Sequence, residues 1–312
     1  MGFFIRKIHK MNNLNGVFQT LDNLILGKEE AVRLAVVCIL ADGHLLLEDI
    51  PGVGKTTLAQ GLAAVLGLNY GRVQFTNDML PADLLGTNIF RPNVGQFEFQ
   101  AGPVFHHFLL ADEINRASPK VQSALLEAME ERQVSIDGKT YALPKPFVVV
   151  ATQNPSEQIG TFPLPESQLD RFLMRISMGY PAEQSEKYLF KHGSRRENVK
   201  RIQAALNPEL LLQMQKTVNE MSVSDALTDY VYRLVNATRV EGVFVQGLSP
   251  RAGLALIKAA KANAFVENRQ MVLPEDIQAV FLSVAGHRLK TLQRGNDSQT
   301  ALTEILRSVA VA

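Results

Sequence analysis

The residues best suited to chemistry are Ile50-Pro51-Gly52-Val53-Gly54-Lys55-Thr56-Thr57, which follow the apolar run Leu45-Leu46-Leu47 and precede the helix-like stretch Leu58 to Leu66. Strand, glycine-bearing loop and helix in that order are what a phosphate-cradling P-loop needs. Gly52 and Gly54 let successive N–H groups turn inward to form an anion nest, and the helix that follows adds its positive N-terminal end. From this loop Lys55 would reach the β- and γ-phosphates, and the Thr56 hydroxyl would complete the shell of a Mg²⁺ ion. One position departs from the general pattern, which opens on glycine where this chain has Asp49.

Two acids follow some fifty residues later, at the end of Phe108-Leu109-Leu110-Ala111-Asp112-Glu113, the form of a Walker B strand. The pair divides the work: Asp112 would hold Mg²⁺ through water, and Glu113 would polarise the attacking water as general base. A third apolar strand, Val148-Val149-Val150-Ala151-Thr152-Gln153, ends in Asn154-Pro155, where Asn154 could orient the water or the γ-phosphate. The plain alternative for that dipeptide is an Asn-Pro turn. Neighbouring His106-His107 make a poor chelating pair, because adjacent strand residues face opposite ways. The single cysteine, Cys38, falls in the apolar helical run Ala31 to Leu40 and reads as a buried, inert thiol.

These groups need a scaffold. Lys28 to Ala41 reads as a helix, His44 to Glu48 as the first buried strand, Lys55 to Leu66 as the P-loop helix and Arg72 to Phe75 as a short strand. Pro81 to Leu85 allows one helical turn, and Gly86 to Phe99 is extended about a turn at Asn93-Val94-Gly95. Ser118-Pro119 places an N-cap serine before proline at the first helical position. Gln133 to Leu143 folds as a hairpin about Asp137-Gly138, Phe147 to Thr152 is a buried strand, and Ile176 lies in another. No element is assigned before Lys28. Buried, non-alternating strands separated by helices indicate a parallel sheet covered on both faces. From about Pro181 the pattern is helical only, with starts at Ser249-Pro250 and Pro274-Glu275, so the domain boundary falls near Tyr180-Pro181.

The 312 residues suit about two domains, and a net charge of +1 gives no electrostatic footprint for nucleic acid or an anionic membrane. The N-terminal Met1-Gly2-Phe3-Phe4-Ile5-Arg6-Lys7 is apolar then basic, the reverse of a secretory signal. No apolar run is long enough to span a bilayer. A cytoplasmic protein without membrane insertion is expected.

Taken together the motifs resemble the AAA+ ATPases, and more closely their MoxR-type branch. The carriers are Leu47-Glu48-Asp49-Ile50-Pro51-Gly52-Val53-Gly54-Lys55-Thr56, Gln74-Phe75-Thr76, Leu109 to Ala117, Ala151-Thr152-Gln153-Asn154-Pro155, Leu169-Asp170-Arg171-Phe172 and Leu248-Ser249-Pro250-Arg251. An acid at the position of Asp49 is usual in that family. The resemblance implies a P-loop αβα sandwich with a mostly parallel sheet over residues 1–180, then a small all-helical lid over 181–312. Gly86 to Phe99 and Gln133 to Leu143 sit where the wider clade carries two hairpin insertions. It also implies roles: Asn154 as sensor 1; Arg251 as sensor 2, a lid arginine reaching the γ-phosphate of its own subunit; and Arg171 as an arginine finger donated to the neighbouring subunit. Arg116 would also face that neighbour.

The activity so implied is Mg²⁺-dependent ATP hydrolysis between subunits of a homo-oligomeric ring, a hexamer, that remodels, activates or matures protein clients. Proteins with a von Willebrand factor A domain are a frequent theme of that family. Three alternatives remain: a nucleic-acid-directed motor, a magnesium-chelatase-type motor subunit, and a nucleotide-gated scaffold without useful turnover. Near-neutral charge counts against the first, and retention of Glu113, Asn154 and Arg171 against the last.

Overall fold

A computed structural model of the chain describes residues 2–93, 95–154, 160–193, 195–292 and 298–311, apart from the side chains of residues 2–12 and 196. The turn residue Val94, Pro155, and the side chains of the apolar N-terminal segment therefore lie outside the described residues.

The chain opens with helix α1 (Gly2–Leu24), where sequence reasoning assigned no element. Its buried residues Leu14, Val17, Leu21 and Leu24 do keep a helical spacing. Gly16 and the asparagines at 12, 13 and 15 lower local propensity, and packing overrides it. Helix α2 (Glu29–Leu40) leads into β1 (Leu45–Glu48), then α3 (Lys55–Val65), β2 (Tyr70–Gln74) and the single turn α4 (Pro81–Leu85). A hairpin of β3 (Gly86–Arg91) and β4 (Gln96–Ala101) precedes β5 (Phe108–Asp112) and α5 (Pro119–Glu131). A second hairpin, β6 (Gln133–Ile136) and β7 (Lys139–Ala142), turns at Asp137 and Gly138 with φ 49° and 78°, the primed turn that an Asp-Gly pair favours. β8 (Val148–Gln153), α6 (Glu166–Leu169) and β9 (Met174–Ile176) complete the strand-bearing part. Every described element after β9 is helical: α7 (Glu183–His192), a short 3₁₀ turn, α8 (Pro208–Asn219), α9 (Asp225–Ala237), α10 (Pro250–Val266), α11 (Pro274–Ala285) and α12 (Ser298–Ser308).

Five strands form one parallel sheet in the order β2-β5-β8-β1-β9. Alternate residues serve two apolar layers. Leu45, Leu47, Phe108, Leu110, Val148 and Val150 pack with α2 and α3, whose layer runs on into the lid helices. Leu46, Leu109, Ala111 and Val149 face Val121 and Leu125 of α5. This double burial is why the strands read as unbroken apolar runs. Helix starts follow their local chemistry: the Ser249 hydroxyl accepts from the Ala252 N–H at 3.2 Å, and the Asp276 carboxylate accepts from the Leu273 N–H at 2.8 Å. Ser118 holds the cap position of α5 but its side chain makes no capping bond.

Candidate active site

All five strands run the same way, so their C-terminal ends share one rim, the usual place for a ligand on such a sheet. The loop after β1 climbs from that rim. Gly52 and Gly54 have φ of 86° and 98°, and a Cβ on Gly52 would meet nothing within 4 Å, so left-handed backbone rather than crowding requires glycine there. α3 starts at Lys55 without a side-chain cap, which leaves its first N–H groups aimed at the loop. The Lys55 Nζ donates to the carbonyls of Asp49 and Ile50, the latter at 3.1 Å. Uncapped amides, an ammonium and the Thr56 hydroxyl form a donor set that fits a polyphosphate and a hard cation.

Asp49 has a structural reason to be an acid. Its carboxylate accepts from the Met178 and Gly179 N–H groups at 2.6 Å each, the Ser177 hydroxyl at 3.0 Å and the Ile50 N–H at 2.8 Å. It therefore ties the start of the P-loop to the segment leaving β9. Burial raises its pKa, but the bonds from Gly179, Ser177, Ile50 and Met178 outweigh it and hold the carboxyl below its ordinary value.

At the end of β5, Asp112 accepts from the Thr152 hydroxyl at 2.6 Å and pairs with Arg72 of β2 at 2.7 Å. Glu113 follows in the left-handed region, φ 57°, sparsely populated for a side chain of its kind. Its N–H donates to the Thr152 Oγ1 at 2.9 Å, and its carboxylate accepts from Gln74 at 2.9 Å and Arg116 at 3.1 Å. One hydroxyl thus fixes both acids. Asn154 is buried at the end of β8, between the acids of β5 and the P-loop after β1. Lys55, Thr56, Asp112, Glu113 and Asn154 share the rim.

Arg171 and Arg251 do not. Arg171 precedes β9, whose Met174 is in register with Leu45 at the start of β1, so it lies at the sheet's N-terminal end. It donates to the Leu126 carbonyl at 3.2 Å and pairs with Glu130 near the end of α5. Arg251, the second residue of α10, pairs with the same Glu130 at 2.6 Å and lies 3.8 Å from Asp170. In this structure the Arg251 guanidinium is engaged by Glu130 and Asp170. α10 runs beside α2 with its N-terminal half at the foot of the sheet, where Lys258 bonds the Asp42 carbonyl at 3.2 Å. β1 alone separates the two ends by about 13 Å, at roughly 3.3 Å per residue. Arg171, Arg251, Arg132, Lys258, Glu130 and Asp170 line a cavity of about 310 Å³ at this foot.

A parallel sheet carrying a P-loop, followed by a helical lid, defines an AAA+ P-loop ATPase fold. The pattern of the ATPase family associated with various cellular activities (AAA) matches residues 44–174, and that of the AAA lid domain matches 236–308. Chaperone MoxR1 of Mycobacterium tuberculosis is 45% identical over 276 residues, 85% of this chain and 72% of that protein. Protein MoxR of Paracoccus denitrificans is 32% identical, covering 94% and 93%. The crystal structure of a Cytophaga hutchinsonii protein provisionally described as an ATPase superposes with a TM-score of 0.91 at 38% identity, covering 99% of this chain and 98% of that one. The chain belongs to the MoxR-type AAA+ ATPases.

Sequence reasoning did not assign roles to Thr152, Arg72, Gln74 or Glu130. Thr152 carried a signal, being a polar residue near the end of an otherwise apolar strand, and Gln74 carried only its place in the Gln74-Phe75-Thr76 segment. Glu130 carried none beyond an acid near the end of a helix.

Proposed function

We propose that this MoxR-family ATPase hydrolyses ATP at head-to-tail junctions of a ring, a hexamer in the expected form, and uses turnover to remodel or mature protein clients in the cytoplasm. In this reading residues 1–180 are the ATPase core and 181–312 the lid. Asp49 through Thr57 cradle the triphosphate, with Lys55 on the outer phosphates and the backbone amides around them. Thr56 directly and Asp112 through water would hold Mg²⁺, which neutralises phosphate charge when bound. Glu113 takes the proton of the attacking water, and Asn154 orients that water. Thr152 keeps Asp112 and Glu113 apart in role by bonding one carboxylate and the other's N–H.

One observation carries the reading. The two arginines suited to a phosphoryl group lie at the opposite end of the sheet from Lys55, bonded to Glu130. A phosphate they touch therefore belongs to another copy, and both Arg171 and Arg251 act in trans. Such heterologous contacts close into rings when the rotation allows. The test is complementation. Glu113→Gln subunits and Arg171→Ala subunits should each be slow, by about 10²–10⁴ and 10³–10⁵ respectively. Mixed, they should recover activity at junctions that combine an intact Glu113 with an intact Arg171. Mixed rings without recovery would return Arg171 to a purely structural role. The name chaperone on one relative supports the client reading. Capture of proteins by the Glu113→Gln variant held with ATP tests it, and an empty trap in a competent lysate would count against it.

A further inference from the structure

Glu130 is bonded to both trans arginines at once. Its Oε2 pairs with Arg171, from the loop before β9, and its Oε1 with Arg251, from the start of α10, at 2.6 Å. Two guanidinium groups from separate elements thus converge on one anion. We propose that Glu130 acts as an internal stand-in for the neighbour's γ-phosphate: it holds Arg171 and Arg251 together in the unliganded junction and must be displaced for them to engage ATP. This rests on the trans reading above and adds a regulatory contact to it.

Three features support the assignment. First, the chemistry matches. A carboxylate offers two coplanar oxygens, and a terminal phosphoryl offers three oxygens and more charge, so the same planar forks can pass from one to the other. Second, Glu130 breaks a local rule. α5 ends in Glu130-Glu131 with no basic residue in its last turn, which puts negative charge on the negative end of the helix dipole. A position that violates local preference without a packing reason is a candidate for function, and the Glu130 side chain is 34% exposed, so it is not there to fill the core. Third, the partners are mounted differently. Arg288, only 6% exposed, is locked to Asp170 at 2.6 Å and to the carbonyls of Phe172 and Leu173 at 2.8 and 3.2 Å. Arg171 and Arg251 are 29% and 57% exposed and reach Glu130 from the cavity wall. Buried Arg288 fixes the lid to the core, whereas half-buried Arg171 and exposed Arg251 are open enough to the cavity to change anions.

Competition sets the sign of the effect. With the carboxylate gone, Arg171 keeps the Leu126 carbonyl and Arg251 keeps only Asp170, which lies 3.8 Å away and is already engaged by Arg288 at 2.6 Å. The neighbour's nucleotide then meets them without displacing the carboxylate that joins the two. Glu130→Gln keeps the shape and one carbonyl acceptor while removing the charge. It should lower the protein concentration for half-maximal ATP-dependent assembly by about 3–10-fold, read by sedimentation with a slowly hydrolysed ATP analogue, and leave assembly without nucleotide unchanged. KM for ATP should fall while kcat stays within about twofold, a split that a general loss of structure does not produce. Glu130→Asp, which retains charge, should behave closer to wild type. In the Arg171→Ala, Arg251→Ala background Glu130→Gln should have no effect, since the competition is then absent. The proposal is overturned if Glu130→Gln leaves assembly and KM unchanged, lowers kcat instead, or shifts assembly equally with the arginines removed. Recovery in the mixed Glu113→Gln and Arg171→Ala ring, together with an inert Glu130→Gln, would discard the stand-in and keep the trans mechanism. Absence of both would discard the trans mechanism itself.

Discussion

The two ends of the parallel sheet are built in different ways. At the C-terminal rim, the chemistry sits on short segments that leave consecutive neighbours in the sheet, and backbone geometry sets most of it: φ of 86° and 98° at Gly52 and Gly54, and 57° at Glu113. At the N-terminal foot, the functional groups are long side chains from α5, the loop before β9 and α10, held by ion pairs rather than by backbone. The rim is a finished cradle within one chain. The foot is a set of cations gathered on an acid of the same chain, where the proposed reading puts the neighbouring subunit. Changes at the rim should therefore act on each subunit whatever the protein concentration, and changes at the foot should act only where subunits meet.

The sharpest way to break that contrast is at Lys55. Its Nζ bonds the Asp49 and Ile50 carbonyls, and in the proposed reading it is the charge that meets the outer phosphates. Lys55→Ala should raise the Kd for ATP by about 100-fold or more, roughly 2.7 kcal/mol. Titration calorimetry should find the same loss at low and at high protein concentration. A loss that vanished on dilution would mean that binding, too, is shared between subunits, and the division between rim and foot would fail.

This contrast also explains what could be read from the chain alone. The P-loop, the Asp112-Glu113 pair and the Asp137-Gly138 turn were legible because local geometry demands particular residue types at fixed spacing. Doubly buried strands announced the parallel sheet for the same reason. The foot was not legible. Glu130, Asp170, Arg171, Arg251 and Arg288 meet only after the lid has packed along α2, and no short-range pattern encodes that meeting. For Arg251 the motif gives the residue's type and not the end of the sheet at which its helix begins, so its pairing with Glu130 could not be read from it. α1 escaped notice since asparagines and Gly16 hide a helix that tertiary packing secures.

Thr152 sharpens the rim side of the comparison. Its hydroxyl donates to Asp112 at 2.6 Å and accepts from the Glu113 N–H at 2.9 Å, at a position only 1% exposed. Thr152→Val keeps the shape and deletes both bonds. The part-buried Glu113 N–H then loses this partner, at a cost of about 1 kcal/mol in stability. Turnover should fall by about tenfold as Glu113 loses its fixed backbone, whereas the Kd for ATP should stay within about threefold, since no phosphate contact is touched. A change in Kd with kcat unaltered would place Thr152 in nucleotide binding instead.

Acid should separate the two ends in order. His44 and His287 are buried near the foot, bonded to the Met129 carbonyl at 3.2 Å and the Phe172 carbonyl at 3.0 Å. Burial holds both pKa values well below the ordinary 6.5, with Arg132 and Arg288 respectively pushing the same way. Above about pH 6.5 both imidazoles are neutral whether the chain is folded or not, and they contribute no pH dependence. As pH falls below that value the unfolded chain takes up protons that the folded chain refuses. Each histidine then lowers stability by up to about 1.4 kcal/mol per pH unit until its depressed native pKa is reached. Asp49, at the rim, has its native pKa lowered from 3.8, so its contribution is intact above that value and is lost only as pH falls through the depressed one. Urea unfolding between pH 7.5 and 5 should therefore show a flat stability that declines below about 6.5, from the histidines and not from the P-loop tether. The ring protons of His44 and His287 should show no titration at their ordinary pKa in the native protein. Stability that holds level down to pH 5, or two histidines titrating near 6.5, would mean that the foot is open to water and less tightly framed than the rim.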